Sequence, residues 1–594
     1  MINNSQATAP KKRKPWFSDE PIEPLIGLLI GLITAIMAIV IYLDTDAFDR
    51  YGVAMREAQR FTVQSMGERA RGEILAGYAW TDAYRMWLEL DTQAVLSTAQ
   101  SDPVASERYR SVRDHIATLT PLLQPPYFDP AIQPRPNLRA YESDLYIEET
   151  TASTEHFINA YRIADGWGEK SGAYAVHLIL LTVSLFLLGL STTISERMTW
   201  LFITIGSALS IVTLVWMVNV VRTPVYAFPQ EAITAFAHGV GLSHQQRYDE
   251  AAESFTTAID LAPEYANALY QRANAYNNLD KLTEAAADYQ TAIDAGRWES
   301  NVFWNLGWTY YRLGDYTQSA EKTQVALGES PEQIALYYNL GLAQLAAGDF
   351  ETATTTYEAG SEMVRQVVNG AREQGLQPPT SIWWYLDTAA LDLDNLYACA
   401  TEEKCGGAPP ATAIPQREKT AELARNWQHK LQTLSVSLEY SDQISQTATT
   451  APASIQLGEL SFTRGVYDLD GKLVSFTTLG QVGGPLRFGM VQENQGEALD
   501  TSISRSDTSL NRDIFVNFPY EGIQQGQLLV MKVLLDDREA SGLRLVTKWS
   551  LAEDGDAVLP LTPGRTFTLS PGNYQIEIYV DGQLIQTGSF EIET

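Results

Sequence analysis

Asn305–Ala320 reads NLGWTYYRLGDYTQSA, and 34 residues further on Asn339–Thr354 reads NLGLAQLAAGDFETAT. Carried outward at that fixed step, the small residue of the first segment recurs as Gly239, Ala273, Gly307 and Gly341. A second column runs Ala251, Ala285, Ser319 and Ala353, and an aromatic follows it at Phe255, Tyr289 and Tyr357, with Thr323 departing. A third runs Ala258, Ala292, Ala326 and Gly360, and prolines close two copies at Pro263 and Pro331, where the second copy has Arg297. Small residues at fixed points let two antiparallel helices approach closely, and aromatics fill the gap to the next pair. One such pair cannot bury its own apolar face, so the period predicts a stack of helical hairpins.

Over residues 229–365 these columns resemble the tetratricopeptide repeat family, in four copies. The resemblance implies an all-α solenoid that binds peptides or partner proteins on its concave face and does no catalysis itself. First-helix residues that would line such a face are Tyr270, Asn274, Asn305, Trp308, Asn339 and Gln344. Their mixture of amide and aromatic side chains suits hydrogen bonding to an extended backbone.

The chain has 594 residues and a formal charge of -30. That length exceeds one core and predicts several domains. Residues 1–222 hold 19 basic and 24 acidic side chains, residues 223–594 hold 23 and 48, so the acidity sits in the second part. Such a surface disfavours nucleic acid and anionic lipid headgroups. Leu25–Leu43 is 19 residues without a charge, long enough to cross a bilayer. Residues 171–195 and 198–221 are two further spans, almost contiguous, which read as a membrane hairpin. The cluster Lys11–Lys14 ahead of the first span favours a cytoplasmic tail over residues 1–24. Three crossings then put the repeats and everything after them outside the cytoplasm of a multi-pass cell-membrane protein. Cys399 and Cys405, the two cysteines of the chain, are a candidate disulfide in that compartment. His177 stands near one end of the second span, where it is expected to reach water.

Residues 44–170 read as helices broken by a proline-rich run at 121–137, a helical domain standing on the membrane. Residues 366–440 keep helical spacing and are expected to cap the solenoid, with Trp383 and Trp384 in cap packing. A Ser, Thr and Ala-rich linker at 441–454 leads to a region, 455–594, whose apolar period is two. In NYQIEIYVDG, Tyr574, Ile576, Ile578 and Val580 would face a core and Gln575 and Glu577 the solvent, with a hairpin turn at Asp581–Gly582. Leu543, Leu545 and Trp549 face inward likewise, and Arg544 and Lys548 outward. Some eight to ten strands suit a two-sheet β-sandwich, and the terminal SPGNYQIEIYVDGQLIQTGSFEI resembles bacterial immunoglobulin-like extracellular modules.

The fold class expected is therefore multidomain: transmembrane helices, an all-α repeat solenoid and an all-β C-terminal sandwich. DLDG at 468–471 lacks the order and terminal Glu of a calcium loop and reads as a turn. P-loop, HExxH, GxSxG and metal-spaced Cys or His sets are missing from the sequence, so no cofactor, metal or catalytic residue is assigned. The reading is a non-enzymatic membrane-anchored scaffold for a protein or peptide. The alternatives are a sensor acting through residues 44–170 and glycan or cell-wall binding through the β-rich end.

Overall fold

The computed structural model describes residues 22–193, 196–402, 405, 414–444, 455–467, 473–478, 514–561 and 569–592. The basic cluster at 11–14, most of the 406–415 loop, most of the 441–454 linker, DLDG and the RFGMV run at 487–491 lie outside the described residues. The chain divides into two compact units, Met1–Gly296 and Arg297–Thr594, with the boundary between the second and third repeats.

In the first unit α1 (Ile22–Gly77) continues from its apolar segment straight into the helical domain. A π-helical turn, Tyr78–Tyr84, joins it to α2 (Arg85–Ala99), and α3 (Pro103–Ala117) follows, capped by Asp102, which accepts from the Ala105 N–H. The proline-rich run turns the chain back through α4 (Leu138–Glu142) and a second π-helical turn, Ser143–Ile147, into α5 (Glu148–Ser191). Helices α1 and α5 run antiparallel. Ser153 donates to Glu68 at 2.8 Å, and Ser171 donates to Asp44 at 2.6 Å. With α6 (Glu196–Arg222), three helices among the described residues are long and apolar enough to cross a membrane. The sequence placed His177 within reach of water, and the structure corrects this. The side chain is 0% exposed, its Nδ1 donates to the Ala173 carbonyl at 2.5 Å, and its ring lies 4.2 Å from that of Trp216. Helix α6, packed on α5, covers the side that spacing alone left open.

The first two hairpins complete this unit: α7 (Gln230–His244) with α8 (Tyr248–Leu261), and α9 (Ala266–Asn278) with α10 (Leu282–Asp294). Helix α8 stops two residues before Pro263, as proline disfavours helix in its predecessor. The second repeat, with Arg297 where proline is usual, ends instead at Gly296, whose φ of 95° a side chain would resist. The repeat columns have a direct physical meaning. A Cβ on Gly239 would fall 2.6 Å from the Phe255 ring, so the small residue of each first helix makes room for a side chain sixteen positions later.

In the second unit the same pairing recurs in α11 (Ser300–Leu313) with α12 (Tyr316–Glu329) and α13 (Ile334–Ala347) with α14 (Phe350–Glu373). Gly341 faces Tyr357 at 2.8 Å. Where Thr323 replaces the aromatic, a Cβ on Gly307 would meet its hydroxyl at 2.4 Å and the Ser319 carbonyl at 3.2 Å, so α11 and α12 close up around the smaller side chain. Next come α15 (Ser381–Glu402) and α16 (Arg417–Glu439), an antiparallel pair packed against α13 and α14. Cys399 and Cys405 form a disulfide at the end of α15. Trp383 packs on the helical core, whereas Trp384 is 64% exposed, which corrects its expected place in cap packing.

The strands form two five-stranded antiparallel sheets with one shared core. β1 (Gln456–Leu457), β2 (Ser461–Tyr467), β3 (Leu473–Thr478), β4 (Ile514–Glu521) and β8 (Gly555–Pro560) make the first. β5 (Leu528–Leu535), β6 (Arg538–Glu539), β7 (Leu545–Lys548), β9 (Gly572–Val580) and β10 (Gln583–Ile592) make the second. Asp581 and Gly582 both take positive φ in the β9–β10 turn, and a Cβ on Gly582 would sit 2.7 Å from the Ser437 backbone of α16. Tyr574, Ile576, Ile578 and Val580 enter the core. Glu577, expected at the surface, is 3% exposed, because the second sheet docks its other face on the α15–α16 pair.

That docking joins an apolar patch, Val436 of α16 against Leu528, Val530 and Tyr579, to a network of charge. Lys532 Nζ, itself 4% exposed as a residue, lies 3.1 Å from Asp387 of α15 and 3.7 Å from Glu539, while Gln432 of α16 donates to Glu577 at 2.7 Å. Arg544 joins Glu539 to Glu439 and Tyr440. Burial pulls the Lys532 ammonium down, but Asp387, Glu539 and Glu577 together hold it above the usual lysine range. Burial pushes the Glu577 carboxyl up, partly offset by Lys532. Breaking such a pair leaves buried carboxylates uncompensated, at a cost of about 3–5 kcal/mol. Lys532→Met should therefore lower the unfolding free energy of the purified chain by about 3 kcal/mol in denaturant melts; a loss below about 1 kcal/mol would mean that the charge network does not hold the sheet.

Candidate functional site

The six first-helix residues fall into both units, Tyr270 and Asn274 in the first and Asn305, Trp308, Asn339 and Gln344 in the second. Tyr270 is 8% exposed, with its ring 5.8 Å from that of Tyr289 on the second helix of its own hairpin. Asn274 is half-buried and accepts from the Tyr289 hydroxyl at 2.5 Å. Gln344 is 7% exposed and accepts from Thr356 at 2.8 Å, again within its hairpin. Tyr270 and Gln344 thus hold helix pairs together. Asn305, Trp308 and Asn339 stay half-buried, with Trp308 stacked on Tyr311 at 5.2 Å and 10°.

The reason for this division is what covers each hairpin. In the first unit, Glu155 of α5 is 5% exposed and accepts from the Tyr265 hydroxyl at 2.9 Å and from Asn267 at 2.8 Å, both at the start of α9. Asn159, also of α5, bonds the Phe228 backbone through both N–H and C=O. Further along α7, His238 meets Glu148 at 3.1 Å and His244 meets Glu142 at 2.8 Å. In the second unit α13 is buried at eleven of its fourteen positions, Ile334, Ala335, Leu336, Tyr338, Leu340, Gly341, Leu342, Ala343, Gln344, Leu345 and Ala346. Only a helix with neighbours on all sides is apolar all round. Ile382, Leu386, Ala389, Leu393 and Leu396 of α15 share its core.

At the flank of that buried face of α15 stands Asp392, a half-buried carboxylate which sequence reasoning passed over. Its electrostatic neighbours are Tyr311 of α11 and Tyr357 of α14. Tyr357 stacks on Trp427 of α16 at 5.0 Å. Asp392 has no ion pair or hydrogen bond among the described residues, and burial pushes its carboxyl from 3.8 up to about 7. The signal in the sequence was its i+3 spacing from Ala389, which puts it beside the apolar face, but the tyrosines opposite could not be read from α15 alone.

Outside the repeats, a cavity of about 310 Å³ opens beside the first π-helical turn, lined by Tyr78, Asp82, Arg85, Met86, Glu89 and Leu119 among others. Among the described residues no three His, Cys, Asp or Glu gather so as to hold a metal ion.

The chain carries tetratricopeptide repeats: that family's profile matches residues 236–297 and 304–361. Comparison with curated proteins gives no match. Among solved structures, the chain is similar to YrrB, a TPR protein with an unusual peptide-binding site, at 18% identity over 35% of this chain and 91% of that one, with a TM-score of 0.24. MamA 41-end from Desulfovibrio magneticus RS-1 matches at 16% identity over 31% and 96%, TM-score 0.22. The first TPR of Spaghetti (RPAP3) bound to HSP90 peptide SRMEEVD matches at 23% identity over 20% and 94%, TM-score 0.20.

A carboxyl that binds its proton more tightly in the fold than in the unfolded chain favours the fold at low pH. For Asp392 that advantage is full below about pH 4 and fades as pH rises to about 7, a span worth at most about 4 kcal/mol and less where water reaches the carboxyl. Asp392→Asn should raise the melting temperature at pH 8 and flatten its dependence between pH 4 and 7. A variant that melts below the parent at pH 8 would refute this account.

Proposed function

We propose that this chain is a non-enzymatic, membrane-anchored scaffold that binds a protein or peptide through its tetratricopeptide repeats, with the repeats and the strand-rich end outside the cytoplasm. Proteins with these repeats typically act as protein-interaction scaffolds. The observation that carries the reading is the repeat profile over residues 236–297 and 304–361, whose first helices keep Trp308 and Asn339 half-buried. Binding is therefore assigned to the half-buried first-helix positions Asn305, Trp308 and Asn339. Three helices apolar enough to cross a membrane support anchoring, and the Cys399–Cys405 disulfide suits an oxidising compartment. The immunoglobulin-like character of the two sheets belongs to the same proposal, as a module fixed to the cap.

A second reading, a sensor, is favoured by the cavity at the first π-helical turn, since such turns are frequent at functional sites.

Orientation and binding can be measured separately. With both native thiols in the disulfide, a cysteine placed at exposed Glu321 should react with a membrane-impermeant maleimide on intact cells; labelling only after lysis would reverse the orientation. Partners recovered from solubilised membranes with the parent chain should be lost with Asn305→Ala and Asn339→Ala combined, and unchanged recovery would remove this surface from the proposal.

A further inference from the structure

We infer that the groove between α2 and the end of α3 is an interface with a second copy of this chain, the two copies standing side by side about a two-fold axis. The side-by-side arrangement rests on the membrane-anchored reading, because copies fixed with one orientation in one bilayer share only an axis along its normal.

The groove follows from how the first π-helical turn and α2 divide their residues. Ala83, Tyr84 and Trp87 are buried with Leu123 and Phe128, so the inward side of this element is already filled. The cavity of about 310 Å³ is lined by Tyr78, Asp82, Arg85, Met86 and Glu89 from the same element and by Ile116 and Leu119 from the end of α3. Tyr78, Asp82, Met86 and Glu89 are spaced by three or four, which lines them up as one seam along the helix. Tyr78, Met86 and Leu119 are each about half exposed, large apolar side chains where a helix facing water carries polar ones. A seam of this spacing suits packing against a like helix.

Charge decides the occupant. Asp82, Arg85 and Glu89 line the same cavity, and none of the three side chains makes an ion pair or hydrogen bond among the described residues. Other charges on the same two helices are paired: Arg113 of α3 holds Asp91 of α2 at 2.6 Å and Asp114 at 2.7 Å. The order along the seam is acid, base, acid. With two such seams side by side, Arg85 of each copy stands about one helical turn, roughly 5 Å along the axis, from Asp82 and Glu89 of the other. An arginine side chain spans that step, so each contact forms twice and the seam is complementary to itself. The apolar residues supply attraction, and the charges set the pairing.

The test uses the full chain, first in membranes and then in detergent micelles. On mild oxidation in membranes, Met86→Cys should give a disulfide-linked species of twice the mass, since Cys399 and Cys405 are already joined to each other. Glu107→Cys, on exposed surface of α3, should not. In density-matched micelles the parent should sediment as a dimer, and Arg85→Glu, like the double variant Asp82→Lys with Glu89→Lys, should weaken self-association about tenfold. An equimolar mixture of the two variants should associate at least as tightly as the parent, a recovery that damage to either fold would not allow. A monomeric parent, equal crosslinking from Met86→Cys and Glu107→Cys, or a mixture no tighter than its components would each overturn the interface, and a monomeric parent would return the cavity to the sensor reading. Release of the chain from membranes by alkaline carbonate would end the anchoring reading and this arrangement with it, whereas loss of the interface alone leaves the chain in the membrane fraction.

Discussion

Helix α13 has apolar residues on every side, and water tolerates that only if other chain covers every side. Helix α14 covers one side through the Gly341–Tyr357 approach, α12 another, and α15 and α16 take what remains. The rest of the second unit follows from this requirement. Once α15 lies against α13, its outward Asp387 and the outward Gln432 of α16 present a polar surface, and the second sheet answers with Lys532 and Glu577. The sheet is then covered on both faces, by the first sheet on one and by the helix pair on the other. What looks from the sequence like a β module on a linker is part of the same packed body.

Charge at such a contact contributes more to register than to net stability, because desolvating an ion pair offsets most of its attraction. An apolar contact of the same size would tolerate sliding of the sheet along α16. Lys532 between Asp387 and Glu539, with Arg544 bridging Glu539 to Glu439, does not. The β9–β10 turn adds a steric stop, since Gly582 passes too close to Ser437 to carry a side chain.

The repeat period, the apolar spans and the alternation of the last strands were legible because each is set by local geometry, a step of 34, a run of 19 or an alternation of two. What could not be read were the faces that a period marks as polar and that distant chain then covers. Glu577 alternates with Ile576 and Ile578 as a solvent residue should, yet α16 lies over it. His177 sits near a span end, yet α6 seals it. Tyr270 and Gln344 have groove spacing, yet each is drawn into its own hairpin by Tyr289 or Thr356. Asp392 shows the converse, an acid indistinguishable in sequence from its neighbour Asp394 until the tyrosines of α11 and α14 are brought beside it.

In each unit the hairpins are completed by helices from outside the repeats, as a stack of repeats needs its apolar faces covered. The first is completed by α5, whose buried Glu155 satisfies Tyr265 and Asn267 and whose Asn159 pins the entry at Phe228. The second is completed by α15 and α16. Both completions use first-helix surface that a free-standing array would leave open, so stability and binding surface compete for the same residues. Among the predicted lining residues of the second unit, Trp308 and Asn339 stay half-buried through that competition.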